Sequence, residues 1–323
     1  MNINIMGFQL TVGLKRTQQN EKVSTTEMAT PFADAAVMEV TSPKRKVSPS
    51  TIANEMTAVR AFIAFYGKEA TLNDMTAECI EDFESHLAQK GICPNTSACY
   101  MRSLRAVINR MGGHGKELFT HVSTSKKRTG KKAVSSEVMK RIEQLDIKDN
   151  TKLSYARDTL LLSFYAMGMP FIDMVGLTTA NIHDDHIIYH RHKTGEKVCV
   201  PLTPSLRTLI DKYRCKDNKY LLPFLQPRNN TYQQYHIVLD RQNRWLHQLS
   251  EQYGLPKLTT YTSRHTWATL ANRNHVDIQV IAKALGHTNP MTTLNYIKDI
   301  DYEGVDAACR LVLESLYHHA ETA

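Results

Sequence analysis

The spacing of apolar residues predicts an N-terminal group of short helices. Apolar positions recur every three or four residues from Ser48 to Gly67, and similar segments begin at Thr76 and at Pro94. A small polar residue or a proline opens each segment and a glycine follows it, which is typical of helix beginnings and ends. Together these segments predict a compact helical bundle over residues 47–114.

A second helical region follows and contains the change of period that indicates strands. Alternating apolar positions between 187 and 202, interrupted by Thr194-Gly195, predict a β-hairpin with its turn at that pair. The fold class is therefore α+β, mainly α with a small antiparallel sheet. Helical spacing is found over 136–145, 153–169, 204–215, 231–252, 263–273, 277–285, 290–297 and 304–318.

Composition between these segments predicts the domain boundaries. Residues 1–46 lack sustained periodicity, so we expect a poorly ordered arm or at most a short strand pair. Residues 115–132 are rich in Gly, Ser, Thr and Lys, which is typical of a linker. A second domain is then expected over 133–323.

The formal charge of +8 is concentrated in one part of the 323-residue chain. Between 101 and 141 eleven Lys or Arg face two acids, a net charge of +9. A solvated linker explains such a run, and a polyanion partner such as a nucleic acid explains it as well; both hold if the linker follows phosphates. The residues predicted to contact DNA are Arg102, Arg105, Arg110, Lys126, Lys127, Arg128, Lys131 and Lys132.

Composition also argues against several classes of protein. The chain is 42% hydrophobic, no run of about 18 apolar residues occurs, and the first residues do not resemble a signal peptide. We therefore expect a cytoplasmic protein with no membrane partner. The six cysteines form no CxxC pair, which favours reduced thiols over disulfides or a zinc site.

Candidate chemistry is concentrated in residues 262–298, where Arg264, His287 and Tyr296 occur around a Leu-Gly-His helix ending. A tyrosine can attack phosphorus as a covalent nucleophile, an arginine can hold non-bridging oxygens, and a histidine can donate a further hydrogen bond. Each residue alone is more often structural. Their conjunction is the informative feature.

This segment resembles the C-terminal box of the tyrosine recombinases, the phage integrase family. The shared features are the arginine followed by His265, the Leu-Gly-His and the tyrosine nine residues after the histidine. The resemblance implies a SAM-like core-binding domain over 47–114 and a catalytic domain over 133–323. It also implies a homotetramer on DNA, docked through the helix at 304–318, and a reaction without metal or cofactor.

The resemblance assigns roles to individual residues. Tyr296 would form a 3′-phosphotyrosyl link, with Arg264 as phosphate clamp and His287 as hydrogen-bond donor. Lys193 lies in a Lys-Thr-Gly turn like that of the family's β-hairpin, where it would be the general acid on a mobile tip. Tyr302 is a rival nucleophile, although it lies beyond the family's spacing.

Two positions depart from the family's pattern. Pro170 stands where the family has an arginine at the end of the central helix, while the acidic position nearby is retained as Asp173. Tyr261 stands in place of a histidine three residues before the clamp arginine; its hydroxyl can donate to a phosphate but is a poor base. Arg157 and Arg191 are candidates for the missing cation, and Arg157 could equally form a structural ion pair.

The most direct interpretation is a site-specific DNA recombinase that integrates, excises or inverts a DNA segment, with a slight preference for inversion between short inverted repeats. A catalytically impaired DNA-binding protein on the same fold is the first alternative. A metal-dependent nuclease is the second, because four histidines cluster near the hairpin, although no carboxylate or cysteine set completes a recognisable metal shell. These histidines are His183, His186, His190 and His192.

Overall fold

The computed structural model describes residues 2–5, 8–11, 31–127, 133–148, 151–214, 219–224, 231–294 and 309–310. Its contacts divide the chain into two compact units, Met1–Arg128 and Thr129–Ala323. The elements of the first unit are β1 (Asn2–Ile5), β2 (Phe8–Thr11), α1 (Phe32–Thr41), α2 (Pro49–Tyr66), α3 (Ala77–Gln89), α4 (Pro94–Arg110) and α5 (Gly115–Leu118). Strands β1 and β2 pair antiparallel.

The helices of the first unit begin where their capping residues predict. Ser48 accepts a hydrogen bond from the backbone N–H of Thr51, and Thr76 does the same for Cys79. Both caps satisfy a donor that the helix itself leaves open. The apolar faces of α1 to α4 share one core, in which the ring of Phe62 packs edge-on against the rings of Phe32 and Phe83.

Helix α1 corrects the predicted arm. Residues 1–46 were expected to form a poorly ordered arm or at most a short strand pair. The pair is observed as β1 and β2, but Phe32–Thr41 is a helix whose apolar side chains Phe32, Ala36 and Val40 are buried. The spacing of four residues between these side chains is typical of a helix. The helix was not predicted because it is only ten residues long, too short for the periodicity to stand out. The helix is stabilised by packing against the bundle, since an isolated helix of this length is marginal in water.

The predicted linker over 115–132 is also shorter than expected. Its first residues form α5, and the apolar side chains of Phe119 and Val122 are buried in the core of the first unit. The side-chain amide of Asn95 donates to the Lys127 carbonyl at 3.0 Å and accepts from the Lys127 N–H at 2.7 Å, which holds the segment at Lys127 against the beginning of α4. Burial of two apolar side chains outweighs the polar composition of this stretch.

One residue predicted to bind DNA serves a structural role in this unit. Arg110 donates to Glu39 at 2.8 Å and to Glu55 at 2.9 Å, and Arg45 pairs with Glu55 at 2.7 Å. Glu55 is 5% exposed and needs compensating charge, because a buried unpaired carboxylate is costly. The Arg110 guanidinium therefore joins α1, α2 and α4, and these ion pairs favour a structural role over the predicted contact with DNA.

The second unit places its helices around one central helix and a small sheet. The elements are α6 (Ser136–Glu143), α7 (Lys152–Tyr165), α8 (Phe171–Val175), β3 (Ile182–His183), β4 (His186–His190), β5 (Lys197–Pro201), α9 (Pro204–Tyr213), α10 (Tyr232–Gln252), α11 (Thr262–Arg273), α12 (Ile278–Ala284) and α13 (Met291–Leu294). The sheet is antiparallel in the order β3-β4-β5. The mainly helical α+β fold is thus confirmed.

Helix α7 is the centre of this unit and is buried on most of its surface. The Ser263 hydroxyl of α11 donates to the Leu160 carbonyl at 2.7 Å, and Gln242 of α10 donates to the Ala156 carbonyl. Helix α13 is described only to Leu294, and of the expected helix at 304–318 only residues 309–310 fall within the described part. Within the described residues, no helix is long and apolar enough to cross a membrane.

Candidate active site

Arg264 is the largest fully buried side chain of the described residues, at 1% exposure. It lies in the first turn of α11. Its Nη1 donates to the Gly168 carbonyl at 3.1 Å, and its Nη2 donates to the Leu285 carbonyl at 2.6 Å. Two chain turns, one after α7 and one after α12, therefore hold a single guanidinium in place. Both turns accept from it through neutral carbonyls, so its positive charge is not cancelled by them.

The turn after α7 requires glycine at position 168. Gly168 has φ +71°, a left-handed conformation that favours glycine. A Cβ built there would lie 2.8 Å from the Arg264 Cα. The backbone N–H of Gly168 donates to the Ser163 carbonyl at 2.8 Å, which closes the turn. The close approach of the two backbones allows the Gly168 carbonyl to accept a hydrogen bond from the Arg264 side chain.

His287 lies beside Arg264 and is held from its other side. Its Nε2 is 3.0 Å from the Arg264 Nη2, and its Nδ1 is 2.9 Å from the Thr293 hydroxyl. A guanidinium has no acceptor, so in this arrangement Nε2 accepts and Nδ1 carries the proton that Thr293 receives. Thr293, fully buried in α13, thus orients the ring.

The imidazole is neutral at physiological pH. The pKa of His287 is lowered to about 4, first by burial and then by the positive charges of Arg264, Arg191 and Lys193. Three cations therefore act on one ring. A neutral imidazole beside them adds hydrogen-bonding capacity without adding a fourth charge.

Stability should depend on pH through His287. Because its folded pKa lies below the ordinary 6.5, protonation favours the unfolded chain, and the contribution present above pH 6.5 is lost as the pH falls toward 4. Thermal unfolding of the wild type between pH 7.5 and 5 should therefore show a Tm that falls by about 2–4 °C more than in His287→Gln. Equal slopes for the two proteins would contradict the lowered pKa.

The hairpin is fastened to the turn that precedes His287. The Thr194 hydroxyl donates to the Gly286 carbonyl at 3.0 Å, and the N–H of Gly195 donates to the Arg191 carbonyl at 2.8 Å. Lys193 lies exposed in this turn. The sequence predicted a mobile tip, whereas the structure ties the tip to the Leu-Gly-His segment, so Lys193 is presented next to His287.

Asp173 joins the hairpin to α8. Its Oδ1 accepts from the backbone N–H of His192 at 2.8 Å, and its Oδ2 lies 3.2 Å from the Arg191 Nη1. Burial raises the pKa of Asp173, and the His192 N–H together with the charges of Arg191 and Arg264 acts in the opposite direction. The acidic position noted in the sequence is therefore the anchor of the hairpin base.

Arg157 is not brought to this site. Its Nε donates to Asp158 at 2.7 Å and its Nη1 to the Leu145 carbonyl at 2.7 Å. Asp158 also accepts from Lys212 and from the Tyr213 hydroxyl, so Arg157 belongs to a partly buried network between α7 and α9. Of the two roles considered for Arg157, these contacts favour the structural ion pair over replacement of the missing arginine. Arg191 is the cation that the structure brings beside His287.

Of the two tyrosines in the predicted site, Tyr261 lies within the described residues and Tyr296 does not. Tyr261 precedes α11 and is 44% exposed, with its ring 6.2 Å from that of His265. Tyr296, the predicted nucleophile, and its rival Tyr302 lie outside the described residues, so their roles stay predictions. The site as described consists of Arg264, His287 and the hairpin residues.

In the described residues, three of the four hairpin histidines take part in the sheet or its turn. His183 and His186 pair across β3 and β4, and the His190 ring is 3.0 Å from the Gly195 carbonyl in the turn. Among the described residues no group of three or more His, Cys, Asp or Glu side chains is arranged to hold a metal ion.

Some of the basic residues predicted to bind DNA are exposed in the first unit and remain candidates for a DNA-binding surface. Lys126 and Lys127 are exposed, and Arg105 is partly exposed on α4. Arg102 uses its Nη1 to hold the Thr124 carbonyl at 2.6 Å, which positions the segment before the two lysines. The other basic residues predicted to bind DNA lie outside the described residues: Arg128, Lys131 and Lys132.

Sequence reasoning missed two supports of the site. Thr293 carried no signal, since a threonine six residues after His287 becomes its partner only through the fold of α12 and α13. The carbonyl of Leu285 is likewise invisible in a sequence, although the following glycine does signal a helix end with exposed carbonyls. Both act on the clamp through backbone geometry and burial.

Comparison with known proteins gives consistent matches for both units. The family model "Phage integrase family" matches residues 132–302, and "Phage integrase SAM-like domain" matches residues 31–110. Tyrosine recombinase XerC of Rickettsia felis is 27% identical over 262 residues, which cover 76% of this chain and 84% of XerC.

Solved structures share the fold at low sequence identity. A lambda integrase (75-356) dimer bound to a COC' core site has a TM-score of 0.62 at 17% identity, covering 79% of this chain and 91% of that one. A lambda integrase tetramer bound to a Holliday junction has a TM-score of 0.63 at 16% identity, with coverages of 84% and 78%.

Proposed function

Because the chain belongs to the phage integrase family, we propose that it is a site-specific tyrosine recombinase that cuts and rejoins DNA strands. The observation that carries this proposal is the buried Arg264, held by two neutral carbonyls beside a neutral His287. A rigid guanidinium held in place by neutral carbonyls suits the binding of a phosphate group. The first alternative, a DNA-binding protein without cleavage, has no physical need for such an arrangement.

In the proposed reaction the Tyr296 hydroxyl attacks the scissile phosphorus. A bond forms between its oxygen and phosphorus, the bond from phosphorus to the 5′-oxygen breaks, and the phenol gives its proton to solvent water. The departing 5′-oxygen takes a proton from Lys193, which the hairpin presents beside His287. Attack by a 5′-hydroxyl of another strand reverses these steps, so the energy of the phosphodiester is conserved and no cofactor or metal takes part.

Arg264 acts on the charge that develops in this reaction. A phosphodiester carries one negative charge, and attack by the phenolate places a second on the phosphoryl oxygens. Fixed donors aimed at that charge lower the barrier because they need no reorganisation. His287 accepts from the Arg264 Nη2 and so holds the guanidinium in place, and the exposed Tyr261 hydroxyl is proposed as a donor to the phosphate.

The partner is double-stranded DNA, and the assembly is a homotetramer on paired sites, as in the lambda integrase tetramer bound to a Holliday junction. Two strand exchanges on two duplexes require four nucleophiles, which supports four subunits. Lys126 and Lys127 contribute to phosphate binding, since they are exposed on a segment fixed to α4. A chromosomal or plasmid substrate would place the protein in the cytoplasm.

Covalent capture on a nicked DNA substrate tests the proposal. The fragment beyond the nick diffuses away after cleavage, so a phosphotyrosyl adduct accumulates and migrates with the protein under denaturing conditions. We expect an adduct from the wild type in the presence of EDTA and none from Tyr296→Phe, because phenylalanine lacks the nucleophilic oxygen. Tyr302→Phe is the matched control and should form the adduct at the wild-type rate.

The pattern of adducts distinguishes the alternatives. Loss in Tyr302→Phe with retention in Tyr296→Phe would move the nucleophile to Tyr302. Specific DNA binding by the wild type with no adduct at any salt concentration would favour the DNA-binding alternative. Cleavage that EDTA abolishes and that leaves no covalent product would favour the metal-dependent nuclease.

A further inference from the structure

We propose that Arg191 binds the scissile phosphate together with Arg264 and so supplies the guanidinium that Pro170 does not. This inference rests on the proposed recombinase function and concerns the same site. Arg191 follows β4 directly and is 5% exposed. Its backbone is fixed by a bond from its N–H to the Glu196 carbonyl and by the bond that it accepts from Gly195.

Close packing directs the Arg191 side chain toward the Leu-Gly-His turn. A Cβ built at Gly286 would lie 2.5 Å from the Arg191 Cγ and 3.1 Å from its Cδ, so the aliphatic part of the side chain passes directly over this glycine. Gly286 has φ +64° and also accepts from Thr194. The guanidinium therefore extends past the residue that immediately precedes His287.

The charges around His287 leave room for an anion. Arg264, Arg191 and Lys193 all act on the ring, and the anion facing them is Asp173. With Asp173 ionised the described side chains of this cluster carry a net charge of +2, and the Arg264 guanidinium is positioned by the neutral carbonyls of Gly168 and Leu285 and by the neutral ring of His287. The two negative charges of a cleavage transition state would neutralise this excess of positive charge.

The Arg191 guanidinium also has hydrogen-bonding capacity to spare. Its Nη1 lies 3.2 Å from Asp173, yet among the described residues neither Nη1 nor Nε finds a hydrogen-bond partner of good geometry. Buried donors in folded proteins are nearly always satisfied, so an exception calls for an explanation. A phosphate oxygen is an acceptor of the right charge.

Asp173 brings this guanidinium close to the position that lacks one. It lies three residues after Pro170, within the short helix α8, and it holds both Arg191 and the His192 N–H. Proline offers no side-chain donor at position 170. Arg191, carried by the hairpin, thus comes close to the turn after α7, where the family has its arginine and this chain has Pro170.

A purely structural ion pair between Arg191 and Asp173 is the competing explanation, and a double variant separates the two. Arg191→Gln alone leaves Asp173 buried without a cation and could destabilise the fold. Asp173→Asn/Arg191→Gln removes both charges while the Asn Oδ1 still accepts from His192. Arg207→Gln is the matched control, because Arg207 lies in the same unit and pairs loosely with Asp185 at 3.5 Å on the surface.

The measurement is the single-turnover rate of adduct formation on the nicked substrate, with thermal unfolding followed in parallel. We expect Arg191→Gln and the double variant to be slower than the wild type by about 10²- to 10⁴-fold. The double variant should unfold close to the wild-type temperature, and Arg207→Gln should cleave at the wild-type rate. A structural ion pair would instead give a double variant with near wild-type cleavage, which would overturn the proposal.

A neutral substrate provides a readout that a structural role would not change. In a methylphosphonate at the scissile position, a methyl group replaces one non-bridging oxygen and removes the charge that Arg191 would neutralise. The deficit of the double variant relative to the wild type should shrink by about 10-fold or more on this substrate. An equal deficit on both substrates would contradict the inference.

Failure of the inference is distinguishable from failure of the recombinase assignment. An adduct that depends on Tyr296 but forms at equal rates with and without Arg191 would remove Arg191 from the reaction and leave the proposed function intact. Absence of any adduct from the wild type on the nicked phosphodiester would overturn the proposed function, and the role of Arg191 with it.

Discussion

Arg264→Lys should reduce the single-turnover rate of DNA cleavage by about 10³- to 10⁵-fold while the positive charge is retained. The guanidinium reaches the Gly168 carbonyl with one terminal nitrogen and the Leu285 carbonyl and His287 with the other. A lysine ends in one nitrogen, which cannot occupy both positions. Its ammonium would be drawn to one of the two turns, and the planar pair of donors facing the phosphate would be lost.

The variant should also be less stable, by about 1–3 kcal/mol, because a buried carbonyl loses its donor. Rates must therefore be measured with enzyme in excess of DNA and below the unfolding temperature of the variant. DNA affinity at fixed salt should change little, since many phosphate contacts contribute to binding. Arg207→Lys, on the surface of the same unit, is the control. A rate within about 10-fold of the wild type would mean that position 264 needs only a charge.

Local signals in the sequence were sufficient to predict much of the fold. The helix from Ser48 to Gly67 corresponds to α2, because its cap, its N-terminal proline and its C-terminal glycine are all local effects. The hairpin around Thr194-Gly195 is likewise observed as β4 and β5, since alternation and turn chemistry specify it. Such elements need no information about distant residues.

Pairings between distant segments could not be predicted in the same way. Arg157 and Arg191 were both candidates for the missing cation, and only tertiary structure separates them: one pairs with the adjacent Asp158, the other with Asp173 across 18 positions of chain. Arg110 was assigned to DNA because a basic residue on a helix carries no sign of a buried partner such as Glu55. The number of charged residues can be read from a sequence. Whether a given charge is buried in an ion pair or exposed to a ligand depends on the tertiary structure.

The clamp itself was only partly predictable. The arginine, the histidine and the Leu-Gly-His ending were identified from their spacing, which reflects local helix geometry. That the arginine is held by the Gly168 carbonyl depends on the approach of α7 and α11 over 96 positions of chain. The glycine that permits this approach is therefore the sharpest test of how the site is built.

Gly168→Ala should destabilise the protein by about 2–5 kcal/mol and slow DNA cleavage as well. The new Cβ would lie 2.8 Å from the Arg264 Cα and 3.3 Å from its Cβ and Cγ. A flexible side chain could move aside, but a Cα in the first turn of a buried helix cannot. The turn after α7 must shift, and with it the carbonyl that accepts from the Arg264 Nη1.

Gly254→Ala separates the clash from the cost of the backbone conformation. Gly254 also has a positive φ, +59°, but a Cβ there would meet nothing within 4 Å, so its substitution should cost about 1–2 kcal/mol. Denaturant unfolding of both variants measures the difference, which isolates the approach to Arg264. Equal free energies of unfolding would show that the backbones can separate at no cost. The close contact would then not be what fixes Arg264, and the clamp would have to be held by the Leu285 turn alone.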